Sequence, residues 1–302
     1  VSNVLAEKRA LIVGAVINFL MAMAGWAAYY YSSSQAILLD GNFSFIAFLV
    51  TLIAIKISAI KSNRTQTFPL GQFAYEALFS FAKGILLIGV LLMAFSANFS
   101  KIIQYLNGES LVPLNGEVIL YYTPAMVVLC FSLAYFCHFQ NRKVNFSSTI
   151  LKAEFTSSRL DGVMSLATGL ALISIRFVDI DGVAGFLHYI GDSLLVIVLV
   201  LLLGKGPFVL VRDSFIELAG GQLQNQQDRA KIMAVLEARF GTEGMLKDSF
   251  ISKTGSSYLV VAYIDSQALG SLSMADLMTH KHHIVAELAD TYPNSTFEIA
   301  LT

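Results

Sequence analysis

Charge is what this sequence has least of: 14% of its 302 residues are Asp, Glu, Lys or Arg, against about 25% in an average soluble domain. Acids and bases nearly cancel, leaving a formal net charge of −1. Binding to nucleic acid through phosphate neutralisation needs an excess of Lys and Arg gathered on one face, so that class is excluded. Cysteine is almost missing. Cys130 and Cys137 stand seven residues apart in one apolar run, on one helix face but too far apart along it to bridge, and they mark no redox compartment. The chain also lacks a phosphate-cradling G-x-x-x-x-G-K run and any pairing of a covalent nucleophile with a base. Those absences argue against an ATP-driven pump and against an enzyme. Low-complexity segments and short-period repeats are absent too.

What the chain has in their place is apolar: 56% of its residues are hydrophobic. Six segments reach the roughly 20 apolar residues that a helix needs to cross ~30 Å of hydrocarbon, at 10–31, 35–60, 73–99, 117–139, 149–176 and 187–211. The first follows Glu7, Lys8 and Arg9. It exceeds the ~7–15 apolar residues of a signal peptide and has no small-residue cleavage site, which predicts a retained span. Basic residues are unevenly shared among the connections. Lys8 and Arg9 precede span one, Lys56, Lys61 and Arg64 surround the second connection, Arg142, Lys143 and Lys152 the fourth, and Lys205 and Arg212 close span six. The first connection, YYYSSS, has no charge, the third has Lys101, and the fifth sets Arg176 beside Asp179 and Asp181. The positive-inside rule then puts both termini in the cytosol.

From about Glu217 the composition turns soluble, and QLQNQQDR leads into a helix over 228–240 with Ile232, Leu236 and Phe240 at four-residue spacing. FISKT at 250–254 and SYLVVAYID at 257–265 read as strands joined at Gly255 and Ser256. A helix over 273–290 is broken at Tyr292, Pro293 and Asn294, and TFEIAL is a last strand. The order α-β-β-α-β predicts a small open sheet with helices on one face. The expected fold is therefore an α-helical membrane protein. A six-span domain occupies residues 1–212, and a cytosolic α+β domain follows at 213–302.

Several motifs resemble those of the cation diffusion facilitator family. Ser34-Gln35-Ala36-Ile37-Leu38-Leu39-Asp40 is similar to its S-x-A-L-L-A-D run. Phe68-Pro69-Leu70-Gly71 with Glu76 resembles F-P-x-G-x-x-R-x-E, with Ala74 in place of the arginine. Lys152-Ala153-Glu154 followed by Ser157-Ser158-Arg159-Leu160-Asp161 resembles A-E-x-x-H-x-x-x-D, and Asp192 and Asp213-Ser214 fall where the family opens and leaves span six. Together the motifs cover nearly the whole chain in order.

The resemblance implies a homodimer in the lipid bilayer of an inner membrane. Such a protein moves a divalent cation (Zn, Mn, Mg, Fe or Co) by alternating access, with protons as the exchanged species and no resident cofactor. It also implies an ion site near the midplane, made of one i, i+4 pair from span two and one from span five. Residues four apart share a helix face, so two such pairs close a four-ligand shell. Carried over, the pairs fall on Phe43 with Ala47 and on Ser157 with Asp161. Phenylalanine and alanine donate nothing, which leaves Asp161 as the one anionic position. With span two rotated by a turn, Asp40 with Asn42 or Ser44 faces Asp161 and Ser157, an all-oxygen set suited to Mg²⁺, Mn²⁺ or Ca²⁺.

Each group has a plainer alternative. Asp40 is a helix-end carboxylate with a local hydrogen bond, and Asp161 pairs with Arg159 or Lys83. Lys83 forms an intramembrane ion pair with Asp161 or Asp40, which would replace a metal site by a salt bridge. Glu76 and Glu154 snorkel or pair with Lys56 and Lys152. His138 and His188 lie at span ends. Asp276, His280, His283 and Glu287 line one helix face, as a surface metal site or as a solvated stripe. The family's histidines in this domain are replaced by Ala262 and Met278. Two rival functions stand beside transport of a divalent cation: a transport-inactive regulatory homolog, and a carrier of a monovalent or non-metal solute.

Overall fold

In the computed structural model, the residues described are 2–32, 35–69, 71–109, 117–175, 182, 184–241, 244–266, 274–292 and 294–302. Ser34, Leu70, Arg176, Asp179, Asp181 and Pro293 lie outside them, as do the side chains of residues 35–39 and of Asp192. The apolar segments form long helices: α1 (Ser2–Ser32), α2 (Gln35–Ile60), α3 (Ala74–Leu106), α4 (Glu117–Lys143), α5 (Thr149–Ile175), α6 (Leu187–Leu203) and α7 (Lys205–Leu218). Among the described residues, five stretches are long and apolar enough to cross a membrane: Glu7–Tyr31, Asp40–Ile60, Ala74–Leu106, Leu120–Lys143 and Leu187–Leu218. The segment expected as a fifth span forms α5, which packs on α3, α4 and α6 but carries Lys152, Glu154, Arg159 and Asp161. The segment expected as a sixth forms α6 and α7, which meet at a helical Gly204.

Leu49, Leu52 and Ile53 of α2, Leu78, Ile85 and Leu92 of α3, and Leu201 and Leu202 of α6 are exposed on the bundle's outside. A contiguous apolar surface of that kind is a liability in water and the expected surface in lipid. Inside, α1 packs closely along α2, α4 along α5, and α3 against α6 and α7. The α1–α2 crossing is tightest at Gly25 and Gly41, where a Cβ on Gly25 would lie 2.6 Å from the Gly41 Cα. The absence of side chains there is what lets the backbones meet.

The C-terminal part has α8 (Gln226–Phe240), β1 (Leu246–Thr254), β2 (Ser257–Ile264), α9 (Met274–Thr291) and β3 (Ser295–Leu301). Asn225 caps α8, its side chain accepting from the backbone N–H of Gln227 at 3.0 Å and of Asp228 at 3.4 Å. The sheet order is β1-β2-β3, antiparallel between β1 and β2 and parallel between β2 and β3. Strand β1 begins earlier than the FISKT run, because polar Lys247 and Asp248 hide its pattern while the ladder continues to Leu246↔Ile264. Ile232, Leu236 and Phe240 of α8 and Ile284 and Leu288 of α9 bury the same sheet face, against Ile251, Val260, Ala262, Ile264 and Phe297. The alternation in β2 is regular, so Leu259, Val261 and Tyr263 turn to the opposite, half-buried face.

The β1–β2 turn docks on the helix bundle. Gly255 has φ of +60°, and a Cβ there would lie 2.5 Å from the Phe73 carbonyl oxygen and 3.0 Å from the Glu76 side chain. Both the left-handed backbone and the close approach call for glycine. Beside the turn a cavity of about 310 Å³ is bordered by Lys152, Asp213, Glu217, Asp228, Lys253 and Tyr258, among others. Replacing Gly255 by Ala is expected to lower stability by about 1–3 kcal/mol and to loosen the turn from the bundle, read as a lower melting temperature and faster proteolysis within residues 241–266.

Candidate functional site

Polar side chains inside the bundle gather at three levels, counted from the end that meets the C-terminal part. At the base, the Glu76 carboxylate is wholly buried near the start of α3. One oxygen, Oε1, accepts the backbone N–H of Thr149 at 2.8 Å and of Ile150 at 3.4 Å. Those are unpaired donors of the α5 N-terminus, where the helix dipole also favours an anion. The other, Oε2, accepts the Ser256 hydroxyl at 2.8 Å and the Lys61 ammonium at 3.3 Å. Lys61 also donates to Glu7 at 2.5 Å. Burial alone would lower the pKa of Lys61, but Glu76 and Glu7 hold it above its ordinary value. Next to this cluster, Lys253 of β1 lies 3.5 Å from Glu217. Burial opposes the Lys253 charge too, and Glu217, Tyr258 and Glu76 outweigh it, raising that pKa.

One level up, Lys83 of α3 pairs with Glu154 of α5 at 2.5 Å, both side chains under 5% exposed. The Thr51 hydroxyl of α2 lies 3.5 Å from the same Glu154 oxygen, and Asn18 of α1 donates to Thr51 at 3.5 Å. This corrects the expected partners. Glu154 meets Lys83 rather than Lys56 or Lys152, and Glu76 meets Lys61. Lys152 instead pairs with Asp213 at 2.9 Å on the surface. The reason is directional. Helix side chains lean towards the helix N-terminus, and α3 and α5 both begin at the docked turn. Lys83 therefore reaches down to Glu154 and not up to Asp161 or Asp40.

The third level holds the sequence-derived ligands. Asp161 lies seven residues beyond Glu154 on α5, half-buried, and Ser157 is buried one turn below it. Asp40 of α2 accepts the Tyr122 hydroxyl of α4 at 2.6 Å, beside the Gly25–Gly41 crossing. The Asp40 and Asp161 carboxylates are near enough to feel each other's charge, and Cys130 lies in the field of both. Ser44 is buried, whereas Asn42 is exposed and accepts from the Trp26 indole at 2.9 Å. Phe43 and Ala47 are half-buried. Arg159 is exposed over the Phe155 ring at 5.6 Å.

Sequence reasoning passed over Asn18, Thr51 and Tyr122. Each is a polar side chain within an apolar run, a signal that a partner lies across the helix interface. In the C-terminal part, Asp276, His283 and Glu287 are exposed, and the His280 ring lies 5.8 Å from the Phe240 ring at a tilt of 58°. Among the described residues no three His, Cys, Asp or Glu side chains converge as metal ligands. Ala262 is buried in the sheet core and Met278 is exposed.

A model of the cation efflux transmembrane domain matches residues 11–219. The chain belongs to the cation efflux family, that of the cation diffusion facilitators. It is thus a multi-pass membrane protein and a cation transporter of that kind. No curated protein matches the chain.

The base cluster makes two predictions. Glu76→Ala leaves buried Lys61 with one counter-ion and the α5 amides unpaired, at an expected cost of about 3–5 kcal/mol, measurable by thermal unfolding in detergent. The folded pKa values of Lys61 and Lys253 are raised above the ordinary 10.5. Their contribution is therefore complete below that pH and is lost only as pH climbs through the higher folded values. Proteolysis of the docked turn is expected to stay constant from pH 7 to about 10 and to accelerate only above that range.

Proposed function

We propose that this protein carries a divalent cation across a membrane in exchange for protons, with Asp161 as the group that binds cation and proton in turn. Asp40 and Ser157 are its oxygen partners. The observation that carries the reading is the engagement of Lys83 by Glu154. Glu154 takes the short ion pair with Lys83, and although the Lys83 charge still reaches Asp161, among the described residues Asp161 is left without a salt bridge of its own. An intramembrane carboxylate with that surrounding is functional by default. Oxygen donors alone favour Mn²⁺ or Mg²⁺ over Zn²⁺, within the candidate set of Zn, Mn, Mg, Fe and Co.

The same reading makes residues 1–212 a six-span domain, with α5 as the span whose carboxylates, buried Glu154 and half-buried Asp161, are set into the bundle while Lys152 and Arg159 stay exposed. Both termini and the domain at 213–302 lie in the cytosol, at an inner membrane. The asymmetry of Lys and Arg supports that orientation. A homodimer is supported by the open face of the sheet, where Phe250, Leu259, Val261 and Tyr263 are half-buried and apolar. No enzymatic step is assigned. A second reading, a transport-inactive homolog, draws on Phe43 and Ala47 at two expected ligand positions and on the Tyr122 hydroxyl that already occupies Asp40.

The experiment is flux of Zn²⁺, Mn²⁺, Mg²⁺, Fe²⁺ and Co²⁺ into proteoliposomes, with internal pH recorded. Asp161→Asn keeps shape and hydrogen bonding but removes the charge. It is expected to melt as the parent does while flux falls to the level of protein-free vesicles. Zinc binding to the parent is expected to be weaker than about 1 μM, because the four-ligand shell that zinc prefers is missing. A parent protein that moves none of the five cations, or an Asp161→Asn variant with full flux, would refute the assignment.

A further inference from the structure

The Lys83–Glu154 pair lies between the level of Asp161 and the end of the bundle where the C-terminal part docks. Glu154 precedes Asp161 by seven residues on α5, which is two turns, or about 10 Å along the same helix face. Its surroundings come from three other helices: Lys83 from α3, Thr51 from α2 and Asn18 from α1. Such a pair is hard to explain by stability alone. A buried ion pair gains little or nothing over apolar residues of the same size, because desolvation of both charges offsets their attraction. The pair is also sparingly held. Among the described residues the Lys83 ammonium has its ion pair and no well-aligned hydrogen bond, although it carries three donors.

We propose that Glu154 is a second cation-binding carboxylate and that the Lys83 ammonium is a tethered cation that occupies it while no transported ion is present. This rests on the cation-transport reading above. A small divalent cation arriving at this level takes the place of Lys83 Nζ at the Glu154 carboxylate, with the Thr51 hydroxyl, 3.5 Å from that carboxylate, as a second oxygen donor; both are hard donors of the class that suits Mn²⁺. While Lys83 is seated, its charge repels a second cation from that side of the bundle, so Asp161 is screened from one face of the membrane. Closure of one side at a time is what alternating access requires.

The test uses full-length protein in detergent, with Mn²⁺ binding counted by equilibrium dialysis, and Mn²⁺ flux in proteoliposomes. Lys83→Gln leaves a neutral donor beside Glu154 and frees the carboxylate. It is expected to bind one more Mn²⁺ per chain than the parent. The double variant Lys83→Gln with Glu154→Gln should lose that extra ion, melt as the parent does and carry Mn²⁺ at least tenfold more slowly. If Lys83→Gln gains no ion, or if the double variant transports like the parent, the pair is a structural lock and the proposal is wrong. Should Lys83→Gln fold poorly, the double variant, which has no charge at either position, decides through flux alone. Asp161→Asn measured alongside separates the two readings. Flux kept in Asp161→Asn refutes the assignment of Asp161, whereas flux lost there but kept in the double variant overturns only the role given to Glu154.

Discussion

The arrangement of the molecule depends on one buried anion. Glu76 has no exposed surface, and a carboxylate in that position is tolerable only when its oxygens are filled with donors. The donors come from every direction: the first amides of α5, the Lys61 ammonium after α2, and the Ser256 hydroxyl in the β1–β2 turn. Satisfying one side chain thus fixes where α5 starts, how the α2–α3 connection folds back and where the sheet sits. Lys61 extends the constraint to Glu7 of α1. Nothing apolar would impose so definite a geometry, because hydrophobic contacts tolerate sliding and a buried charge does not.

Above that base the bundle is graded by charge. The base combines Glu7, Glu76 and Glu217 with Lys61 and Lys253, the middle level sets one acid against one base, and the upper level has two acids and a tyrosine hydroxyl. Among the described residues named at these levels, the buried positive charges stop at Lys83, and Arg159 of α5 is exposed. Local packing keeps that upper level tight, since the glycine pair of α1 and α2 brings their backbones together beside Asp40.

Much of this architecture was legible in the sequence, because hydrophobic length and periodicity are local properties. The helix expected over 228–240 runs Gln226–Phe240, and the strand expected over 257–265 runs Ser257–Ile264. The motifs around Phe68-Pro69, Glu154 and Asp161 pointed to the family that the domain match establishes. The charge partners were not legible. Whether Lys83 meets Glu154 or Asp161 depends on the relative depth and rotation of α3 and α5, and on the lean of a long side chain. No single-chain pattern encodes those quantities. The same holds for Glu76, whose main partners are backbone amides that sequence does not distinguish.

The separation of Glu76 from Ser256 by 180 residues has a consequence for biosynthesis. At about 5–20 residues per second, roughly 10–40 s pass between the emergence of one partner and the other. Once α5 has been made, the nascent bundle holds a carboxylate still short of the Ser256 hydroxyl, and the surface that will receive the turn stands open. A turn made after the helices of the bundle is therefore what seals the first of them. A ribosome that stalls before residue 256 leaves Glu76 without the Ser256 hydroxyl and the base of the bundle unsealed.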